Sequence, residues 1–436
     1  MQQQKRQNQK GNSIKFEQEE WISRLPDEIL IRILSSLTVK QAQMTSVLST
    51  RWRYLWTHIN CLNFGYNRSP KRSEYIDWVN KVCSSIQSPR IEEFRMISNL
   101  DEKAKDNVDK WLDFAMEKRV KDLELVMSMN PRDPDRYIFS YPATFSSYIT
   151  NKHLRSLNLR YVNISGATLE HFLLHCQSLE QISICESKFL TTLKVGGGSY
   201  PLLNLKSLEI SYCPILTDLK ISAPNLSNFQ YQGQQIRLHV ENAPLLCHVY
   251  IGGHSGDRLT WAFRALSSYL CQLQTLVLGL GLFEFYNPPW IPMEFQQSWK
   301  LSSLRELTVR VSGRDCEHLL FILLFLKATP FLEKLRLEME YLLNKNAKLL
   351  EEMTDEVCPH KYLKVLEIIG FTAFPNLVEF VKRLSGAAPK LETVIVDPSP
   401  PWKASDLSQI VFTKQFEQLF DMLLKSVITE RIEFVL

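Results

Sequence analysis

The sequence predicts an α/β chain, an N-terminal cluster of three short helices followed by a horseshoe-shaped solenoid whose strands stack into one parallel concave sheet. Three observations carry this. The pattern L-x-x-L-x-L, with Ile, Val or Phe allowed, recurs along most of the 436 residues. Late copies start at Leu273, Leu304, Leu332, Leu363 and Leu391, about 28 to 31 residues apart, the length of a strand plus a returning helix. Ahead of the repeats, Trp21 to Trp56 crowds helix-start signals and aromatic residues into one short segment.

Residues 1–19 are Gln, Lys and Asn rich at their start and read as a disordered tail. They lack the apolar stretch of a secretory segment. Over 20–58 three helical signals follow. Pro26 suits a first helical turn and Asp27 and Glu28 favour the positive end of the helix dipole, while Ile29, Leu30, Ile33, Leu34 and Leu37 form one broad apolar face. Thr38-Val39-Lys40-Gln41 fits a capping box. Ser49 can cap a third helix that carries Trp52, Tyr54, Leu55 and Trp56. A piece this short rarely supplies its own core, so part of its apolar surface must dock on the next domain or bind another protein.

Leu25-Pro26-Asp27-Glu28-Ile29-Leu30 and Thr45 to Trp56 closely resemble the F-box of the large plant F-box and leucine-rich-repeat family, departing from its common pattern at Thr38, Met44 and Thr50. The resemblance implies binding of a Skp-type adaptor, which bridges to a cullin and a RING protein. It implies that Leu25, Pro26, Ile29, Leu30, Val47, Leu48 and Trp52 form the docking face, and Ile33 lies on the same apolar stripe.

The leucine-rich-repeat solenoid spans 59–355. Its fullest copy is Leu205-x-x-Leu208-x-Ile210-x-x-Cys213, with weaker ones from Leu154, Leu179, Leu190, Leu216, Leu226 and Leu246 and faint ones from Ile59, Ile91 and Val120. Between 179 and 246 some starts lie only about 10 or 11 apart, too close for a helix to return, so the outer wall there must be loops or bare strands. Alternation points Leu208 and Ile210 inward and Glu209 to the concave side. By the same reading Asn158, Arg160, Tyr161, Lys194, Tyr212, Lys220, Tyr250, Thr308, Arg310, Arg336 and Glu367 line or rim one inner surface suited to protein recognition. Arg160, Tyr161, Tyr212, Tyr250, Arg310 and Arg336, with Trp290, are the candidate target-binding residues. Trp290 sits in an insertion, Phe283 to Trp299, that is either a recognition lid or a cap on the outer wall.

Two further stretches are similar to the same plant family: Ile221-Ser222-Ala223-Pro224-Asn225-Leu226 with Glu241-Asn242-Ala243-Pro244-Leu245-Leu246, and residues 356–400, which resemble the FBD module. Residues 401–436, with Phe416, Leu419, Phe420, Leu423 and Leu424, are expected to form a helix closing the open end of the solenoid.

The remaining features argue against chemistry. His171 and His175 have metal-binding spacing, but Phe172 stands where a zinc protease needs Glu and no third ligand is evident. The glycine runs at 196–198 and 252–256 lack the Lys and Ser/Thr of a phosphate loop. No cofactor and no catalytic site are expected. The net charge of +4, from 51 basic and 47 acidic residues interspersed along the chain, gives no field for nucleic acid or lipid. Nine cysteines without a C-x-x-C pair read as reduced thiols of a nuclear or cytoplasmic protein.

The expected function is therefore a non-catalytic, substrate-choosing subunit of a cullin-type ubiquitin ligase, with an unknown protein as target. Two alternatives stand beside it. One is a small-molecule sensor using the basic residues Arg155, Arg160, Lys194 and Lys220; the other is an interaction scaffold outside any ligase, with the helices packed inward.

Overall fold

The structure is a computed structural model that describes residues 22, 25–66, 71–127, 135–139, 152–198, 202–253, 258–281, 300–312, 322, 325–340, 359–370, 375–397 and 433–435. The tail 1–19, Trp290 with most of its insertion, and the expected helix around Phe416 to Leu424 lie outside these.

Three helices open the described chain, α1 (Asp27–Ser35), α2 (Val39–Met44) and α3 (Trp52–Leu55). The capping box ahead of α2 forms: the Gln41 amide donates to Thr38 Oγ1 at 3.3 Å and the Thr38 amide to Gln41 Oε1 at 3.0 Å. Ser49 Oγ accepts from the Trp52 amide at the head of α3.

Strands and helices then alternate: β1 (Cys61–Tyr66), α4 (Arg72–Ser85), β2 (Glu93–Ser98), α5 (Lys105–Glu117), β3 (Asp122–Met127), β4 (Ser156–Arg160), α6 (Gly166–His175) and β5 (Gln181–Cys185). Next come seven elements without an intervening helix until the last: β6 (Thr192–Gly196), β7 (Ser207–Ser211), β8 (Asp218–Ser222), β9 (Asn228–Gln232), β10 (Arg237–Glu241), β11 (His248–Gly253) and α7 (Arg258–Ala265). Then follow β12 (Thr275–Gly281), β13 (Glu306–Ser312), β14 (Lys334–Glu340), β15 (Val365–Ile369), the helix Pro375–Ala387, β16 (Thr393–Asp397) and β17 (Glu433–Val435).

Among the described residues fourteen strands pair in parallel into one sheet, and β6, β8 and β10 pair into a second. The repeat pattern locates these strands closely. Copies starting at Ile59, Ile91, Val120, Leu154 and Leu179 each precede a strand by two residues, and the late copies do the same for β12 to β16. Leu205, Leu208 and Ile210 are fully buried while Glu209 points out of the core. Every coil thus adds a rung of Leu, Ile and Val to one continuous core that runs from the helical cluster to β16, each buried aliphatic side chain contributing roughly 1.5–3 kcal/mol.

The bare-strand wall expected between 179 and 246 is real. Successive starts there alternate between the two sheets, so two strands make one coil. This corrects one reading: Lys194 and Lys220, paired in register on β6 and β8, belong to the second sheet and not to the concave one. Both edges of that sheet are covered. On the β6 side, Glu170 of α6 accepts the Lys194 amide at 2.8 Å, and a Cβ on Gly166 would sit 1.8 Å from the Thr192 carbonyl, so only glycine lets α6 come this close. On the β10 side, Tyr269 Oη reaches the Val240 carbonyl and the Ala243 amide. β10 itself was missed because Gln235 stands where its repeat would begin with Leu. β17 extends the main sheet past β16, a strand not anticipated within the expected capping-helix region 401–436.

A second unforeseen element is the segment 135–139. Arg136 has a fully buried side chain, donates to the Glu186 carbonyl, pairs with the Glu186 carboxylate at 3.5 Å, and lies over the Tyr161 ring at 5.3 Å. Both residues it contacts, Tyr161 and Glu186, lie in left-handed backbone, φ 58° and 62°. Arg136→Ala strips a buried partner from both and should cost about 2–3 kcal/mol, read as a lower urea midpoint with unchanged slope. Arg136→Lys should recover only part of this, because an ammonium lacks the planar fork.

His360 gives the fold an acid sensitivity. It is buried, neither ring nitrogen has a hydrogen-bond partner among the described residues, and burial holds its pKa below the ordinary 6.5. The unfolded chain takes up this proton at a higher pH than the native chain, so the stability His360 allows is fully present above about pH 6.5 and is lost as pH falls below it. The melting temperature should fall more steeply from about pH 7 to 5 in the parent than in His360→Leu, by at most one proton's worth, about 1.4 kcal/mol per pH unit.

Candidate functional site

Two surfaces have the make-up of binding faces. The first is on the helical cluster. In α1, Leu30 and Leu34 stand one turn apart and are fully buried, while Ile29 and Ile33, about 100° round the helix, are exposed. Met44, Val47 and Leu48, at the end of α2 and in the turn after it, are exposed as well, Val47 at 87% and Leu48 at 57%. Exposure of this much aliphatic surface at neighbouring positions is uncommon on a chain that needs no partner.

The cluster is held firmly in place. Arg51, ahead of α3, donates from Nε to Asp27 Oδ1 at 2.8 Å and from Nη2 to the Leu25 carbonyl at 2.6 Å, tying α3 to the start of α1. Gln43 Oε1 accepts from Trp78 Nε1 of α4 at 2.8 Å, the Gln87 amide donates to the Thr57 carbonyl at 2.7 Å, and Val39, Ala42 and Ile59 sit in the shared core. One side of the cluster therefore docks on the first repeats and another stays open.

Of the expected docking residues, Pro26, Ile29, Ile33, Val47 and Leu48 are exposed and Leu25 is half-buried. Leu30 and Trp52 are not on the open face, and here the expectation is corrected: they are buried in the core among the helices, 0% and 5% exposed. A helix turns only one stripe inward, and Leu30 and Leu34 occupy it. Met44, noted in the sequence only as a departure, belongs with the open residues.

The second surface is the concave sheet. Tyr250, Val277, Thr308 and Arg336 form one row across β11 to β14, and Gly252, Gly279, Arg310 and Glu338 the next. Arg310 lies over the Tyr250 ring at 5.3 Å, and burial pushes the Tyr250 phenol up against the pull of that guanidinium. The structure thus brings Tyr250, Arg310 and Arg336 together. Arg160 shares the sheet but sits on β4, four strand spacings from β11, or about 19 Å. Tyr161 and Tyr212 follow β4 and β7 in left-handed turns on the rim, where Gln232 Nε2 donates to Tyr212 Oη. With Lys194 and Lys220 on the other wall, the basic group that a small-molecule sensor would use is divided between two faces.

Nearer the N-terminus the same sheet carries Glu124, held by Arg95 at 2.8 Å and by Asn158 at 3.1 Å. Glu209 accepts from the Ser183 and Ser211 hydroxyls. Burial raises the carboxyls of Glu93 and Asp122, paired in register on β2 and β3. Among the described residues no group of three His, Cys, Asp or Glu side chains could hold a metal ion, and no helix is long and apolar enough to cross a membrane.

Comparison with known proteins agrees with this layout. Residues 22–64 match the F-box domain, and residues 84–426 match the family described as At1g61320/AtMIF1, LRR domain. The chain belongs to the plant F-box and leucine-rich-repeat family. The F-box/FBD/LRR-repeat protein At1g13570 of Arabidopsis thaliana is 23% identical over 433 residues, 91% of this chain and 95% of that protein. The F-box/FBD/LRR-repeat protein At1g80470, also of Arabidopsis thaliana, is 23% identical over 388 residues, 81% and 80% of the two chains. The putative F-box/LRR-repeat protein At5g02700 of the same plant is 27% identical over 182 residues, so the alignment spans only 38% of that relative's length. In this F-box/LRR protein the helical cluster is the F-box, and the horseshoe is the repeat domain.

Proposed function

We propose that this F-box/LRR protein is the substrate-recognition subunit of an SCF (Skp-cullin-F-box) E3 ubiquitin ligase, with no chemistry of its own. In this reading the F-box docks a Skp-type adaptor, which links it to a cullin and a RING protein, and the concave sheet holds a target protein. Ubiquitin transfer then gains rate from proximity, because target and charged donor are held within reach.

The observation that carries the reading is the open aliphatic group Ile29, Ile33, Met44, Val47 and Leu48 on an F-box whose own core is already filled by Leu30, Leu34, Val39, Ala42, Trp52 and Leu55. Covering such a surface with a protein partner removes it from water at roughly 25 cal/mol per Å². The seven cysteines among the described residues are free thiols, which suits a nuclear or cytoplasmic setting. Co-expression of the full chain with a Skp-type adaptor tests the proposal: a one-to-one complex should survive gel filtration, and separate elution of the two proteins would sink it.

A further inference from the structure

Across β12 to β14 the concave sheet holds a cleft of about 330 Å³ whose lining includes Val277, Thr308, Arg310, Lys334, Arg336 and Glu338. Two bare positions shape its approach. A Cβ on Gly252 would lie 2.6 Å from Tyr250 Oη, and one on Gly279 3.0 Å from it, so the Tyr250 ring lies down over glycine and Arg310 can reach across Gly279 to meet it.

The charges are layered. Glu338 accepts from Nε of Arg310 at 2.6 Å and from Nε of Arg336 at 2.8 Å. Glu367 accepts from Arg336 Nη1 at 3.1 Å and pairs with Lys334 at 2.6 Å. These two carboxylates form the floor, their side chains 8% and 11% exposed, whereas those of Arg310 and Arg336 are 42% and 38% exposed. Solvent therefore meets guanidinium groups first. Because Nε of each arginine is committed to the floor, the planes are fixed, and N–H donors remain on the outer edges.

The geometry points to this cleft as the subsite where the target presents a carboxylate, the side chain of Asp or Glu in an extended peptide, with its aliphatic part against Val277 and the Tyr250 ring. This rests on the target-receptor reading above. A carboxylate suits the site better than a phosphate: Arg310, Lys334 and Arg336 share only two ion-paired carboxylates, Glu338 and Glu367, so one positive charge is left for a carboxylate to match, while a dianion exceeds it, the more so beside the exposed Glu306.

The test uses the full chain co-purified with its adaptor and a fluorescein-labelled short peptide of alternating glutamate and serine, read by anisotropy at low salt. Peptides with glutamine or phosphoserine in place of glutamate serve as comparisons. The glutamate peptide should bind about tenfold tighter than the glutamine peptide and lose that margin in Arg310→Gln/Arg336→Gln. Thr308→Tyr, which fills the cleft and leaves every charge in place, should lose it too. Arg237→Gln on the second sheet should keep it. Equal binding of the glutamate and glutamine peptides, tighter binding of the phosphoserine peptide, or a margin that survives both cleft variants would each overturn the inference. Co-elution with the adaptor, scored on the same preparations, separates that failure from failure of the ligase reading.

Discussion

Val47→Asp with Leu48→Asp should abolish capture of a Skp-type adaptor by the F-box/LRR protein while leaving the melting temperature of the isolated chain nearly unchanged. Both side chains project into solvent and neither belongs to the buried core, so replacing them takes nothing from the fold. At an interface the same replacements remove two aliphatic anchors and force two carboxylates against an apolar partner. Anchor residues typically cost 2 kcal/mol or more each when lost, and an unpaired buried charge costs more, so affinity should fall at least about a thousandfold. Isothermal titration with purified adaptor would measure it. Retained affinity in the double variant would place the adaptor elsewhere on the cluster.

Trp52→Ala should behave in the opposite way. Its ring is buried among the three F-box helices and joins the core shared with the first repeats, so truncation leaves a large cavity in the smallest part of the molecule. Losses of about 3–5 kcal/mol follow from such truncations. The F-box should melt separately and earlier than the repeats, visible as a new low-temperature transition in calorimetry. Adaptor binding would fall too, but in proportion to the unfolded fraction, so cooling or saturating adaptor should restore it. That recovery distinguishes Trp52 from Val47, whose replacement no temperature rescues. A single calorimetric transition at the parent temperature would contradict this placement of Trp52.

The contrast shows where sequence reasoning reaches its limit. Strand positions were legible because each coil must bury the same aliphatic rung, and a Leu two residues ahead of the strand marks the turn into it. Where that residue is polar, as Gln235 before β10, the mark disappears although the strand remains. The open F-box residues were legible only as a group. Ile29 and Leu30 are both aliphatic, and only the helix phase set by packing decides which of the two is covered. Lys194 and Lys220 were misassigned for a similar reason: strands of both walls turn aliphatic residues inward, so their patterns look alike, and only the spacing of half a coil betrays the change of wall. Alternation put Tyr250, Arg310 and Arg336 on the inner surface among other residues, but their coming together rests on the register of β11 to β14. The order of the acids beneath the guanidiniums was not legible either, because it depends on register across strands far apart in the chain.

The strands that replace helices on the second wall have a mechanical consequence. A solenoid bends because its outer layer needs more room per coil than its inner one, as when helices about 10 Å across back strands roughly 4.8 Å apart. From β5 to β11 both layers are strands of equal pitch, and the wedge that produces curvature vanishes. The stretch from β5 to β11 should therefore curve less than the stretches where helices back the sheet.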